Sequence, residues 1–174
     1  MNIFYLSFNT KKCARYHLDR HVVKMILELA QLLCTAIWLS GKEAPYKATH
    51  KNHPSAIWTR DNINNWKWTK KLALALCKEY TYRYGKKHKS EDIIKNLETP
   101  DLPNGSFYQP LQAMPDQYKN EDSLIAYRNY YTFGKKHLHE FKNRHAWKKR
   151  NIPNFILKNY PEYSKYEKIS IEFL

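Results

Sequence analysis

Residues 11–41 read KKCARYHLDRHVVKMILELAQLLCTAIWLSG, and the fold is decided by how this stretch is read. Positions 11–39 hold no proline and no glycine, and Gly41 then supplies a stop. Asn9 or Thr10 is a natural N-cap ahead of them. One long helix over 11–39 is predicted. His17, His21, Lys24, Glu28, Gln31 and Thr35 follow one another at steps of four and three residues, which lines them along one helical face. Nearly everything around that line is apolar, so the helix should be buried with its narrow polar stripe facing a partner or a wet cavity. A plain solvated face is wide and rich in Lys and Glu. The mixture of two His, one Lys, one Glu and one Gln favours a polar pocket instead.

Outward from this helix, residues 3–6 form either a short buried strand or an extended lead-in. Pro54 follows His53, where proline suits the first turn of a helix over 54–84 that ends at Gly85. Asn62, Asn64 and Asn65 mark a weak point within it. Ser90-Glu91-Asp92 opens a third, shorter helix that ends near Glu98. Residues 99–115 carry Pro100, Pro103, Pro110 and Pro115 with Asn104-Gly105, too irregular for a helix and long for an idle connection. Asn120 or Asp122 caps a fourth helix, expected to bend at Gly134 and continue to about Trp147. The fold class expected is mostly α, a single compact helical domain over 1–152 with a tail, 153–174, packed on it.

The 174 residues are 43% apolar, enough for one core and no second domain. The formal charge of +14 lies far beyond what solubility needs and implies an anionic partner. A compositional bias toward A and T in the gene would raise Glu along with Lys, yet acids are few. Cys13, Cys34 and Cys77 are scattered and odd in number, which is neither a disulfide framework nor a zinc motif. The N-terminal apolar run is too short for a signal peptide, and no stretch reads as the ~18 apolar residues of a membrane span. A reducing, soluble, cytoplasmic setting without membrane contact is expected.

Three further groups bear on chemistry. His50-Lys51-Asn52-His53, just before a helix start, suits an anion or a base edge at free backbone N–H groups, or equally a simple cap at His53 with His50 in solvent. A metal held by His17 and His21 with His50 or His53 is disfavoured, since no cysteine is near and Lys51 repels cations. Aromatic residues alternate with cations at Trp58-Thr59-Arg60, at 79–87 and at 127–131. Such interleaving holds unpaired bases, although several of the rings must be core. Arg83 and Arg128 are the phosphate or base contacts expected there, and Gln112 and Tyr118 belong to a loop able to cover a bound base. Lys135, Lys136, Lys142, Arg144, Lys148, Lys149 and Arg150 stand against Glu140 alone between positions 135 and 150, as in a surface that binds nucleic-acid backbone without reading sequence.

The motifs HVVKMILE at 21–28 with AQLL at 30–33, HKNHP at 50–54, EYTYRYGK at 79–86, QAMPDQYK at 112–119 and YRNYY at 127–131 resemble a family of small proteins of tailed bacteriophages and large DNA viruses. That resemblance spans most of residues 1–150 and implies a viral setting. A looser likeness is to the phage pyrimidine-dimer DNA glycosylases, small, basic and helical enzymes that use an N-terminal threonine amine beside a glutamate. This sequence begins Met1-Asn2, a pair from which the initiator Met is usually kept, so that mechanism is not carried over. There is no Gly-rich phosphate loop, nucleophile elbow or paired-Cys metal motif.

The expectation is a viral enzyme acting on nucleic acid, DNA ahead of RNA, or on a nucleotide, without a cofactor. Lys24 would act as anion clamp or amine nucleophile, Glu28 as general acid or base, and His17, His21, His50 and His53 as proton donors or phosphate ligands. Aromatic rings near Trp58 or Tyr82 would hold a base. The competing readings are a non-catalytic nucleic-acid-binding or host-interaction protein, and a metal-dependent hydrolase.

Overall fold

A computed structural model describes residues 1–166. The chain is mostly α: α1 is Thr10–Tyr16, α2 Asp19–Leu39, α3 Pro54–Asp61, α4 Ile63–Tyr84, α5 Glu91–Asn96, α6 Ser123–Asn129 and α7 Asn154–Leu157. The two strands β1, Glu140–Phe141, and β2, Arg144–His145, pair antiparallel with Glu140 opposite His145. Their turn places Lys142 and Asn143 at φ +45° and +63°, the left-handed pair a tight hairpin needs.

α2 is the axis of the core. Its Val22, Met25, Ile26, Leu29, Leu32, Leu33 and Ile37 are buried, and it packs mainly on α4 and α3. α4 answers with Trp66, Trp68, Leu72, Ala73, Leu76 and Cys77 at core spacing. By length and composition α2 also qualifies as a membrane-crossing helix, contrary to the expectation that no stretch is apolar enough; 61% of the qualifying window is buried against the rest of the protein.

The predicted 11–39 helix is two helices. His17 and Leu18 are extended between α1 and α2. Neither proline nor glycine marks the break, because tertiary partners take over the helical hydrogen bonds: the Leu18 N–H donates to the Tyr131 hydroxyl at 2.8 Å and the Asp19 N–H to the Ala146 carbonyl at 2.6 Å. The 54–84 helix divides at Asn62, which is extended and accepts from the Asn64 and Asn65 N–H groups at 2.9 and 3.1 Å. α4 ends at Gly85, left-handed at φ +64°. Asp122 caps α6, as expected. Beyond α6 the expected helix to Trp147 does not form. It winds into a π-turn over Tyr130–Gly134, where a side chain at Gly134 would collide with the Tyr130 ring, and the chain leaves as the β1–β2 hairpin.

Residues 3–6 are buried and extended without a strand partner, the lead-in rather than the strand. In the tail, Ile156, Tyr160 and Tyr163 are buried, and positions 167–174 lie outside the described residues.

A charged network closes one end of the α2–α4 pair. Fully buried Arg83 bonds Glu79 Oε1 through Nε at 2.8 Å and Asp19 Oδ1 through Nη1 at 3.0 Å, and donates to the Arg15 carbonyl. Arg150 grips both Glu79 oxygens at 2.9 Å, and Arg144 reaches Asp19 Oδ2 at 2.8 Å. Burial raises the Glu79 carboxyl, but the bonds from Arg150 and Arg83 outweigh it and hold it below the ordinary value. Removing one partner from such a cluster leaves charge without compensation. Arg83→Met is therefore expected to cost about 3–5 kcal/mol, a melting temperature lower by roughly 6–20 °C. Thermal denaturation measures this, and an unchanged midpoint contradicts the network's role.

Candidate functional site

The polar stripe divides in two. His17 lies outside α2, with its Nδ1 2.8 Å from the Cys13 carbonyl. His21 lies on α2 with its Nδ1 2.9 Å from the Tyr131 hydroxyl and its ring stacked on Phe4 at 4.4 Å. Burial holds both imidazoles down, His17 to about 4 and His21 to about 2. Both are therefore neutral at pH 7 and tied into the packing of Tyr131, a place unlike the open proton-donor positions expected of them.

Lys24, Glu28, Gln31 and Thr35 remain in line on α2, and around Glu28 a cluster forms. Its side chain is 12% exposed, whereas that of Lys24 is 66% exposed. Glu28 Oε1 pairs with Lys24 Nζ at 3.2 Å. Glu28 Oε2 accepts from the Asn2 N–H at 3.1 Å and lies 3.4 Å from the Met1 α-ammonium. Asn2 is itself held, its Nδ2 donating to the Ala113 carbonyl at 2.9 Å and its Oδ1 accepting from the Tyr127 hydroxyl at 3.2 Å. One carboxylate thus carries two amines, one toward solvent and one inward.

The 50–53 loop docks on the same face of α2. Thr35 Oγ1 donates to the Thr49 carbonyl at 3.2 Å and accepts from the Thr49 N–H at 3.1 Å. His50 turns the chain at φ +48°, with its Nδ1 2.7 Å from Thr49 Oγ1. His53 caps α3, its Nδ1 accepting from the Ser55 N–H at 3.1 Å, so the ring's proton sits on Nε2. Burial lowers His53, the Met1 ammonium and His50 push the same way, and Glu28 opposes them. Lys51 and Asn52 are exposed in the turn, and the Lys51 carbonyl accepts from Arg60.

Several expected contacts are corrected. Trp58 is fully buried with its Nε1–H on the Tyr108 carbonyl, so it stacks no base. Arg83 is buried in the Asp19–Glu79 network and reaches no phosphate. Arg128 spends Nε and Nη2 on the Leu6 carbonyl, at 3.1 and 2.9 Å, with its guanidinium over Phe155. Gln112 clamps Asn120 and so shapes the proline-rich loop, while Tyr118 packs on Tyr130 at 5.3 Å between centroids. Of the seven cations at 135–150, Arg144 and Arg150 are committed to Asp19 and Glu79. Lys135, Lys136, Lys142, Lys148 and Lys149 lie over the rings of Tyr130, Tyr160, Phe141, Tyr84 and Tyr82.

Met1, Asn2 and Tyr131 are what sequence reasoning missed as site-builders. The stripe pointed to Glu28 and to the Lys24 amine beside it, but not to the Met1 nitrogen that Glu28 also faces. Among the described residues no three His, Cys, Asp or Glu side chains are grouped as a metal would need, and the set His17, His21 with His50 or His53 is not assembled. No family model, characterised protein or solved structure matches the chain.

The buried histidines set a pH dependence. Their folded values lie below that of an unfolded chain, ~6.5, so the unfolded state takes up protons first as the pH falls. Stability is complete above that value and lost below it. Between pH 7 and pH 5, His17 and His21 together should cost about 4 kcal/mol. Denaturant unfolding at the two pH values checks it; a flat profile, or one restored only by replacing surface acids, contradicts it.

Proposed function

We propose that this protein is a nucleic-acid-acting enzyme of the base-excision kind, whose reacting group is an amine held on the Glu28 carboxylate. The observation that carries the reading is the sharing of that carboxylate between Lys24 Nζ at 3.2 Å and the Met1 α-nitrogen at 3.4 Å. An amine attacks carbon only through its free lone pair, and an adjacent carboxylate is the group that accepts its proton. The electrophile that suits it is C1′ of a nucleotide. The N–C1′ bond forms as the glycosidic bond breaks and the base leaves with the bonding pair. Glu28 takes the amine proton and passes it to O4′ as the C1′–O4′ bond opens and C1′ becomes the imine carbon, and water then adds to that carbon, releases the ring-opened sugar as its aldehyde and restores the amine. At an existing abasic site the same amine condenses with the aldehyde, loses water, and sets up elimination of the 3′ phosphate.

The remaining features fit the same task. His53, with Nδ1 occupied by the α3 cap, keeps Nε2–H for a departing base. The charge of +14 draws the protein to phosphate backbone. The alternative is that Glu28 only neutralises a buried chain end, in a protein that binds nucleic acid without altering it.

Glu28→Gln separates the two, because the amide still accepts from the Asn2 N–H but takes no proton. Strand cleavage of a duplex containing one abasic site should fall 10²-fold or more, on the order of a lost general base. The melting temperature should fall less than in Arg83→Met, because the amide keeps the Asn2 N–H bond and Lys24 is already in solvent. Absence of cleavage by the unaltered protein, or a variant as active as its parent, removes the proposal.

A further inference from the structure

Tyr82 on α4 and Phe141 on β1 are large rings left 48% and 55% exposed. A single exposed ring needs no explanation. These two differ in what lies against them. The Arg150 guanidinium stacks on Tyr82 at 3.9 Å from the ring centroid, with Lys149 Nζ at 5.8 Å. Arg144 and Lys142 flank Phe141 at 5.7 and 5.4 Å.

The two guanidiniums are fixed from behind. Arg150 is bidentate on Glu79 and Arg144 is bonded to Asp19, and buried Arg83 ties the two carboxylates together. The Asp19 Oδ1 also accepts from the Lys148 N–H at 2.9 Å, and the Tyr82 hydroxyl donates to the Lys149 carbonyl at 3.3 Å. Side-chain entropy, the usual cost of engaging long cations, is thereby largely spent in folding. Lys142, Lys148 and Lys149 add positive charge, with no carboxylate within ion-pair distance among the described residues.

We infer that this face, Tyr82 and Phe141 at the two ends of the Arg150–Glu79–Arg83–Asp19–Arg144 chain, is a stacking surface for an unpaired stretch of nucleic acid. Positive charge alone would serve any polyanion. Exposed rings held beside fixed cations gain energy only from bases whose faces are open, and in a duplex those faces are covered. The inference rests on the nucleic-acid part of the proposed function and is independent of the chemistry at Glu28.

The test is fluorescence anisotropy with a labelled oligothymidine about twelve nucleotides long and a duplex of the same length. The Tyr82→Leu/Phe141→Leu double variant keeps every charge and removes both rings. Its affinity for the single strand should fall roughly tenfold or more, while duplex affinity and the salt dependence of binding stay as in the parent, since phosphate contacts are untouched. Tyr82→Phe, which loses the hydroxyl and keeps the ring, should bind the single strand like the parent. Anisotropy reads binding and not cleavage, so a failure of the proposed chemistry at Glu28 is read separately. Equal losses for single strand and duplex, or no loss for either, overturn the inference, as does Tyr82→Phe failing as badly as the double variant.

Discussion

A buried, extended N-terminal segment with no strand beside it is the constraint around which the remainder is arranged. Each peptide group it takes out of water needs a partner, and a sheet would have supplied them in rows. Here side chains do so one at a time. Glu28 accepts from the Asn2 N–H, and the Asn2 side chain accepts from the Ile3 N–H at 2.8 Å. The Cys13 thiol lies between the Phe4 carbonyl and the Leu6 N–H, at 3.3 and 3.4 Å, and Arg128 covers the Leu6 carbonyl twice. α1, α2 and α6 are tied together by this one strand of chain. The same requirement places an amine against Glu28, so satisfying the backbone and building the candidate site are one event.

The second organising element is the five-membered charge network. Two of the few carboxylates in a strongly basic protein are committed to it, and both are nearly buried. Their desolvation is offset by three arginines and by the Lys148 N–H. The network fastens residues 144–150 to α2 and α4. The cations that read in sequence as a uniform run thus take different roles, with Arg144 and Arg150 fixed and the lysines spread over aromatic rings.

How much of this was legible follows from which forces act locally. Helix ends set by a cap or a left-handed residue were readable: Asp122, Pro54 and Gly85 mark α6, α3 and α4 where sequence places them. Asn62 was readable as a weak point because asparagine caps as well as it breaks. The division at His17 was not, since it depends on Tyr131 and Ala146, more than a hundred positions away. After α6 the bend at Gly134 was readable, but not the π-turn that reaches it or the hairpin that replaces the rest of the expected helix. In the site, the lower stripe held because Lys24, Glu28 and Thr35 share one helix. Arg83 and Trp58 were misplaced because a cation or ring that repeats beside others looks the same in sequence whether it faces solvent or a buried partner.

What unites these observations is the claim that Glu28 presents an amine for reaction rather than merely quenching a buried charge. Borohydride reduction in the presence of an oligonucleotide bearing one abasic site tests it most directly, because it converts a transient imine into a permanent bond. The account predicts a covalent protein–DNA adduct whose peptide map places the sugar on Lys24 or on the Met1 α-nitrogen, and which is greatly reduced in Glu28→Gln. An unmodified protein recovered after reduction, or an adduct spread over the lysines at 135–149 and indifferent to Glu28, contradicts it.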